Sequence, residues 1–155
     1  MAKTARDIMT VPVVSITGSA TLKEAAELLS NQDFSGVPVV DEQNKLIGIL
    51  SETDLVRYAD QVTVVPLTNL SRWISPHAEM KDLVALRQGI DLLAKTKVAQ
   101  VMTKKVYTAT EDEDVITVAR LMNRRKINRV PIIDKEGRLV GIVTRGDLVA
   151  YMATL

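Results

Sequence analysis

Val37-Pro38-Val39-Val40-Asp41, then Leu46-Ile47-Gly48-Ile49-Leu50-Ser51, then Asp54-Leu55-Val56 is a pattern that the chain writes twice. Adding 93 to each number returns Val130-Pro131-Ile132-Ile133-Asp134, Leu139-Val140-Gly141-Ile142-Val143-Thr144 and Asp147-Leu148-Val149, without a gap. The opening Met9-Thr10 likewise returns as Met102-Thr103. One structural unit therefore occurs twice. Proline, glycine, aspartate and hydroxyl residues repeat along with the aliphatics, so turns and a polar site recur together with the core pattern.

Working outward, each copy reads as β-α-β-β-α, a mixed α/β (α+β) fold. Val13-Val14-Ser15-Ile16 is a short apolar strand. Leu22, Ala25, Ala26 and Leu29 then recur at i, i+3, i+4 and i+7, the mark of a helix with one buried face, and Val115, Val118, Ala119 and Met122 hold the same places in the second copy. Thr21 and Glu24 have capping-box spacing, and Asp114, the mate of Thr21, is itself a good N-cap. Two continuous apolar strands around the polar turn Asp41 to Lys45 predict a hairpin buried on both faces, with Pro38 at a strand start where its missing N–H is tolerated. A last helix follows from Asp54. One such unit buries too little core alone, so two are expected to pack sheet against sheet.

Composition narrows the function classes. The 155 residues are 46% hydrophobic and 25% charged, enough for a core in a chain that stays in solution. Twenty basic and nineteen acidic side chains leave +1, so no strong field draws the chain to nucleic acid or an anionic membrane. No apolar run approaches the roughly 20 residues of a membrane span, and the start, Met1 to Asp7, lacks the apolar stretch of a signal peptide. A cytoplasmic location is the expectation. The absence of cysteine excludes thiolate catalysis, and with His77 as the only histidine no metal site is expected.

Residues 59–97 have no counterpart at the repeat offset. Pro66, Trp73 and Pro76 mark an irregular first part. Leu83, Leu86, Ile90 and Leu93 fit a helix near 79–95. The segment reads as a linker folded back over the core, or as a partner-binding or dimerising element. Trp73 reads as a packing anchor, and His77 as a loop residue without a second ligand type beside it.

Chemistry gathers where the third strand meets the last helix. Gly48 to Asp54 and Gly141 to Asp147 share the form glycine, two aliphatics, a hydroxyl residue, two variable positions, aspartate. A helix N-terminus at the end of a strand offers unpaired N–H groups and the positive dipole end to a phosphate. Ser51, Thr53 and Thr144 add hydroxyl donors, and Asp54 and Asp147 can accept the hydroxyls of a ribose. The competing reading is purely local: Ser-x-x-Asp is close to a capping box, which needs no ligand.

With Asp7-Ile8-Met9-Thr10, the two Val-Pro segments and the two Ser/Thr-x-x-Asp motifs, the chain resembles a tandem pair of CBS (cystathionine β-synthase) domains, over residues 5–58 and 98–152. The resemblance implies two repeats packed as a pseudo-twofold CBS pair, with clefts that bind AMP, ADP, ATP or, in some members, S-adenosylmethionine. Such modules sense and do not catalyse, so no catalytic residue is assigned. One cleft would place Asp147 on the ribose and Thr144, Asn128 and Arg129 toward the phosphate, with Val13, Val14, Ser15, Phe34, Ser35, Gly36 and Val37 around the adenine. Its mirror would use Ser51, Thr53 and Asp54, with Val106, Tyr107, Thr108 and Ile127 to Val130. Arg129 has no cationic mate, since Ser35-Gly36 stands where the second copy has Asn128-Arg129; this ranks the Asp147 cleft first. Gly146 in place of the Thr53 hydroxyl weighs the other way.

The cations Arg124, Arg125 and Lys126 read as solvent-facing charges that offset a helix dipole, or, with Arg129, as a nucleic-acid patch. A net charge of +1 and 3% aromatics count against the latter. A ligand-free scaffold is the further alternative. The resulting expectation is a stand-alone regulatory module for adenosine-containing ligands. It is expected to form a homodimer through helix faces near Leu55 and Leu148, and to signal energy or metabolite state to a separate regulated protein.

Overall fold

The computed structural model describes residues 2–62 and 80–155; Pro66, Trp73, Pro76 and His77 lie outside them. The chain forms two compact units, and each draws on both repeats. One contains Met1–Ser15, Val40–Ile47 and Lys105–Leu155; the other contains Ile16–Val39 and Gly48–Lys104.

In the first unit, β4 (Ala109–Thr110), β5 (Arg129–Ile133) and β6 (Leu139–Thr144) form a sheet in that order, with helices α1 (Ala5–Ile8), α6 (Val115–Arg125) and α7 (Arg145–Met152). Asp114 caps α6 by accepting the Ile116 N–H at 2.7 Å. The apolar face of α6, Val118 and Met122, packs on Val130, Ile132 and Val143. Ala5, from the N-terminal arm of the first repeat, completes this core with no exposed surface.

The second unit holds most of the sheet β1 (Ile16–Thr17), β2 (Gly36–Val40) and β3 (Leu46–Ser51), all but Val40, Leu46 and Ile47, with α2 (Leu22–Gln32), α3 (Glu52–Gln61), α4 (Met80–Lys95) and α5 (Val98–Val101). Its buried side chains include Leu22, Ala25, Leu29, Val37, Val39, Leu50 and Val98. Val98, the repeat mate of Ala5, is fully buried against the first-repeat elements. The helix anticipated near 79–95 is α4, and it lies against α2.

The arms are stitched in by matching bonds. Ala5 and Arg6 donate N–H groups to the Glu113 and Glu111 carbonyls at 2.8 and 3.0 Å, and Val115 donates to the Lys3 carbonyl at 3.0 Å. In the second unit Val98 and Ala99 donate to Ala20 and Gly18 at 2.8 and 3.0 Å, and Leu22 donates to Thr96 at 2.9 Å. Every partner is displaced by the repeat offset, so each repeat lends its arm to the unit built on the other.

The strand readings need three corrections. Only Ile16–Thr17 pairs as β1, because Val13 to Ser15 belong by contact to the other unit and cannot extend that ladder. The hairpins are not buried on both faces throughout: β2 is buried along its length, whereas β6 alternates buried and half-buried positions, as befits an outer strand of a three-stranded sheet. Pro38 and Pro131 sit in the middle of central strands rather than at their starts.

Register explains that tolerance. Arg129 pairs with Thr144, and the Arg145 N–H donates to the Asn128 carbonyl at 2.9 Å, so this is a non-hydrogen-bonded pair. By alternation Pro131–Ile142 is another. The proline nitrogen thus faces away from β6, toward β4, which pairs only with Ile132 and Ile133. No ladder bond is lost.

Both turns follow one design. Asp41 Oδ1 accepts the N–H groups of Gln43 and Lys45, each at 2.9 Å, and Asp134 Oδ1 accepts those of Glu136 and Arg138 at 3.0 and 2.9 Å. Asn44 and its mate Gly137 supply the positive φ, 63° and 81°, residue types that tolerate the left-handed region. The Arg138 N–H, reinforced by its guanidinium at 2.8 Å, holds the Asp134 carboxyl below the usual carboxylate range. The two turns pair directly: Leu46 donates to Gly137 and Leu139 to Asn44, both at 3.0 Å.

Candidate functional site

Each strand-to-helix junction is a reciprocal capping box. Ser51, extended at φ −115°, receives the Asp54 N–H on its hydroxyl at 3.2 Å, while Asp54 Oδ2 accepts the Ser51 N–H and hydroxyl at 2.9 and 3.0 Å. Thr144 and Asp147 repeat this at 3.3, 2.7 and 2.8 Å. One carboxylate oxygen of each aspartate is therefore committed to starting its helix, as the local reading anticipated. The other oxygen makes a different, longer-range contact.

That second oxygen meets the borrowed arm. Thr103 hydroxyl donates to Asp54 Oδ1 at 3.2 Å, and the repeat-equivalent Thr10 hydroxyl reaches Asp147 Oδ1 at 3.5 Å. The arms are fixed by backbone pairs, Ile49 with Thr103 at 2.9 and 2.8 Å and Ile142 with Thr10 at 3.3 and 2.8 Å. Gly48 and Gly141 make this approach feasible. A Cβ on Gly141 would stand 2.5 Å from the Met9 sulfur, and one on Gly48 would stand 2.5 Å from the Met102 sulfur and 3.0 Å from the Thr103 carbonyl oxygen. Thr10 and Thr103 were not among the residues singled out for the site; their repetition beside Met9 and Met102 was the available signal.

The two junctions differ in how occupied the carboxylate is. Asp54 is buried, 7% exposed, and the Arg57 guanidinium lies 3.6 Å from its Oδ1. Asp147 is half-buried, its Thr10 bond is at the long limit, and the mate of Arg57 is Ala150, which offers no charge. Asp147 Oδ1 thus has more capacity to accept hydroxyl donors.

The remaining anticipated residues sort by unit. Asn128 and Arg129 stand beside Thr144 and Asp147: Arg129 pairs with Thr144 across the hairpin, and its Nε donates to Asn128 Oδ1 at 3.1 Å. Val13, Val14, Ser15, Val106, Tyr107, Thr108 and Ile127 belong to the same unit. Phe34, Ser35, Gly36 and Val37 belong to the other, with Ser51, Thr53 and Asp54, and there the Glu52 N–H donates to the Ser35 carbonyl at 3.0 Å as Arg145 does to Asn128. Thr53 and Gly146 occupy equivalent exposed positions in the first helical turns.

Among the described residues no helix is long and apolar enough to cross a membrane. The CBS domain family model matches residues 5–61 and 98–154. An uncharacterised protein of Methanocaldococcus jannaschii is 34% identical over 93% of this chain and 88% of its own length. The chloroplastic CBS domain-containing protein CBSX1 of Arabidopsis thaliana is 33% identical over 84% of this chain, which spans only 55% of that protein. Of the larger relatives the chain spans a smaller share, 23% of an inosine-5'-monophosphate dehydrogenase of Methanocaldococcus jannaschii. Among solved structures, the CBS domain pair of protein MJ0100 in complex with 5'-methylthioadenosine and S-adenosyl-L-methionine superposes with a TM-score of 0.70 at 28% identity, covering 99% of this chain and 98% of that one. CBSX2 in complex with AMP gives 0.72 at 25% identity, covering 98% and 97%. Two matched repeats, two three-stranded sheets with their helices and two equivalent capped junctions agree, and the chain belongs to the CBS domain family as a tandem pair.

Proposed function

We propose that the chain is a regulatory module that binds an adenosine-containing ligand of the AMP, ADP or ATP class, with the Asp147 junction as the principal contact, and passes the bound state to a partner protein. The observation that carries this reading is the free capacity of Asp147 Oδ1 beside Thr144, Asn128 and Arg129. The AMP-bound and S-adenosylmethionine-bound relatives support the ligand class. In this reading the module has a regulatory and not a catalytic role, and works in the cytoplasm.

Thermal denaturation across AMP, ADP, ATP, adenosine and S-adenosylmethionine tests it. A ligand at about 100 times its Kd stabilises the native state by about 2.7 kcal/mol, which for a domain of this size raises Tm by roughly 5–10 °C. A flat profile over the whole panel rejects the reading and favours an empty scaffold.

Arg129 separates phosphate recognition from adenosine recognition. Arg129→Ala is expected to weaken AMP and ATP by about tenfold, the loss of one charge-assisted hydrogen bond, while adenosine binding stays within twofold. Equal losses for all three in calorimetric titration assign Arg129 a structural role. Tighter binding of S-adenosylmethionine than of any nucleotide, unchanged by Arg129→Ala, moves the ligand class to sulfonium nucleosides.

A homodimer accompanies this reading, with one adjustment of the face. Leu148 packs against its own unit's core and Leu55 is half-buried, so the exposed apolar positions on α3 and α7 are Val56, Val149 and Met152, at 52%, 61% and 67% exposure. Light scattering at micromolar concentration is expected to return twice the chain mass of 17.1 kDa. The monomer mass there overturns the dimer.

A further inference from the structure

Tyr107 carries two cations on one ring. The Arg125 guanidinium carbon lies 4.5 Å from the ring centroid and Lys105 Nζ lies 5.8 Å from it. Arg124 and Lys126 flank Arg125 at the end of α6. The ion pairs of Arg6, Arg57 and Arg138 involve none of these four cations. Like charges gathered around one half-buried aromatic repel unless an anion neutralises them.

The duplication supplies an internal control for the bland explanation, that a helix end wants cations. Residues equivalent to Arg124, Arg125 and Lys126 are Asn31, Gln32 and Asp33, and those equivalent to Lys105 and Tyr107 are Pro12 and Val14. Helix α2 ends on Asp33 at φ 54° as α6 ends on Lys126 at φ 57°, in the same left-handed conformation and with no basic residue in its last turn. The fold closes this helix without positive charge. The cluster in the second repeat is therefore surplus to the architecture.

We propose that Lys105, Arg124, Arg125 and Lys126 form a docking surface for an acidic segment of a partner protein, with Tyr107 as its aromatic floor. Carboxylates match guanidinium groups in charge and in paired hydrogen-bond geometry. A polypeptide fits better than a nucleic acid because the excess charge is confined to one ring and its helix end, while the whole chain carries +1 and 3% aromatics. The proposal is independent of which adenosine ligand binds.

The test uses the full chain and a fluorescein-labelled oligoglutamate peptide, followed by anisotropy. Binding is expected to weaken at least about fivefold between about 50 and 200 mM salt, as screening shortens the reach of the exposed charges. Arg124→Asn combined with Arg125→Gln installs the residues that the equivalent helix end already carries, so the melting temperature is expected to hold. That double variant, or Lys105→Gln, is expected to weaken the peptide by about tenfold and leave AMP binding unchanged. Equal peptide binding by wild type and variants overturns the proposal. So does an RNA oligonucleotide that binds more tightly than the peptide and loses affinity with the same substitutions. A loss of AMP affinity in the variants also overturns it, by returning the cluster to the nucleotide site.

Discussion

Asp54→Ala is expected to cost about 3 kcal/mol of stability, and Asp147→Ala only about 1 kcal/mol, although the two aspartates are repeat mates. Asp54 is buried and its carboxylate accepts from Ser51 and Thr103 at 2.9 to 3.2 Å, so its removal strands several polar groups at about 1–3 kcal/mol each, partly relieved by water. Asp147 loses a capping box of the ordinary kind, about 0.5–2 kcal/mol, because its Thr10 contact is long and its surroundings are more exposed. On the proposed function the ranking inverts for ligand: Asp147→Ala is expected to weaken AMP by about 1.5–3 kcal/mol, more than tenfold. Urea denaturation and calorimetric titration on the same preparations read both quantities. Normal AMP affinity in a destabilised Asp147→Ala would show that the residue only caps its helix.

Gly141→Ala is expected to destabilise by about 1–3 kcal/mol, the usual cost of forcing a methyl group into a filled site. The three nearest atoms to the added Cβ are all in the Met9 side chain, so Met9→Ala in the same chain is expected to relieve part of that cost, with a coupling of at least about 0.5 kcal/mol. Gly48→Ala meets the Thr103 carbonyl oxygen as well as Met102, and a backbone atom cannot swing away. Met102→Ala should therefore rescue it less. Strict additivity in both double mutants would mean that the arm moves off the strand instead of pressing on it.

Much of this molecule is legible without coordinates because much of it is decided within a few residues. Thr21 with Glu24 and Ser51 with Asp54 cap their helices, and Asp41 and Asp134 organise their turns, through bonds spanning five positions or fewer. The apolar periodicity of 22–29 and 115–122 found α2 and α6 for the same reason. Errors began where a distant partner sets the outcome. Val13 and Val14 have strand-forming side chains but lie outside the two-residue β1, and Pro131 is acceptable mid-strand because β4 is only two residues long and pairs with Ile132 and Ile133.

The site divides along the same line. That hydroxyl and carboxylate would sit together at each helix start follows from their spacing in the sequence. Which arm reaches which aspartate does not, because in sequence the alternatives are equivalent: Met9-Thr10 and Met102-Thr103 are identical, and a glycine, Gly48 or Gly141, stands at the receiving position of each repeat. Tertiary packing broke the tie, burying Ala5 beside β5 and β6 and Val98 beside the first-repeat elements, so that Thr10 meets Asp147 and Thr103 meets Asp54. Local chemistry determined what each junction is made of, and long-range burial determined which repeat completes it.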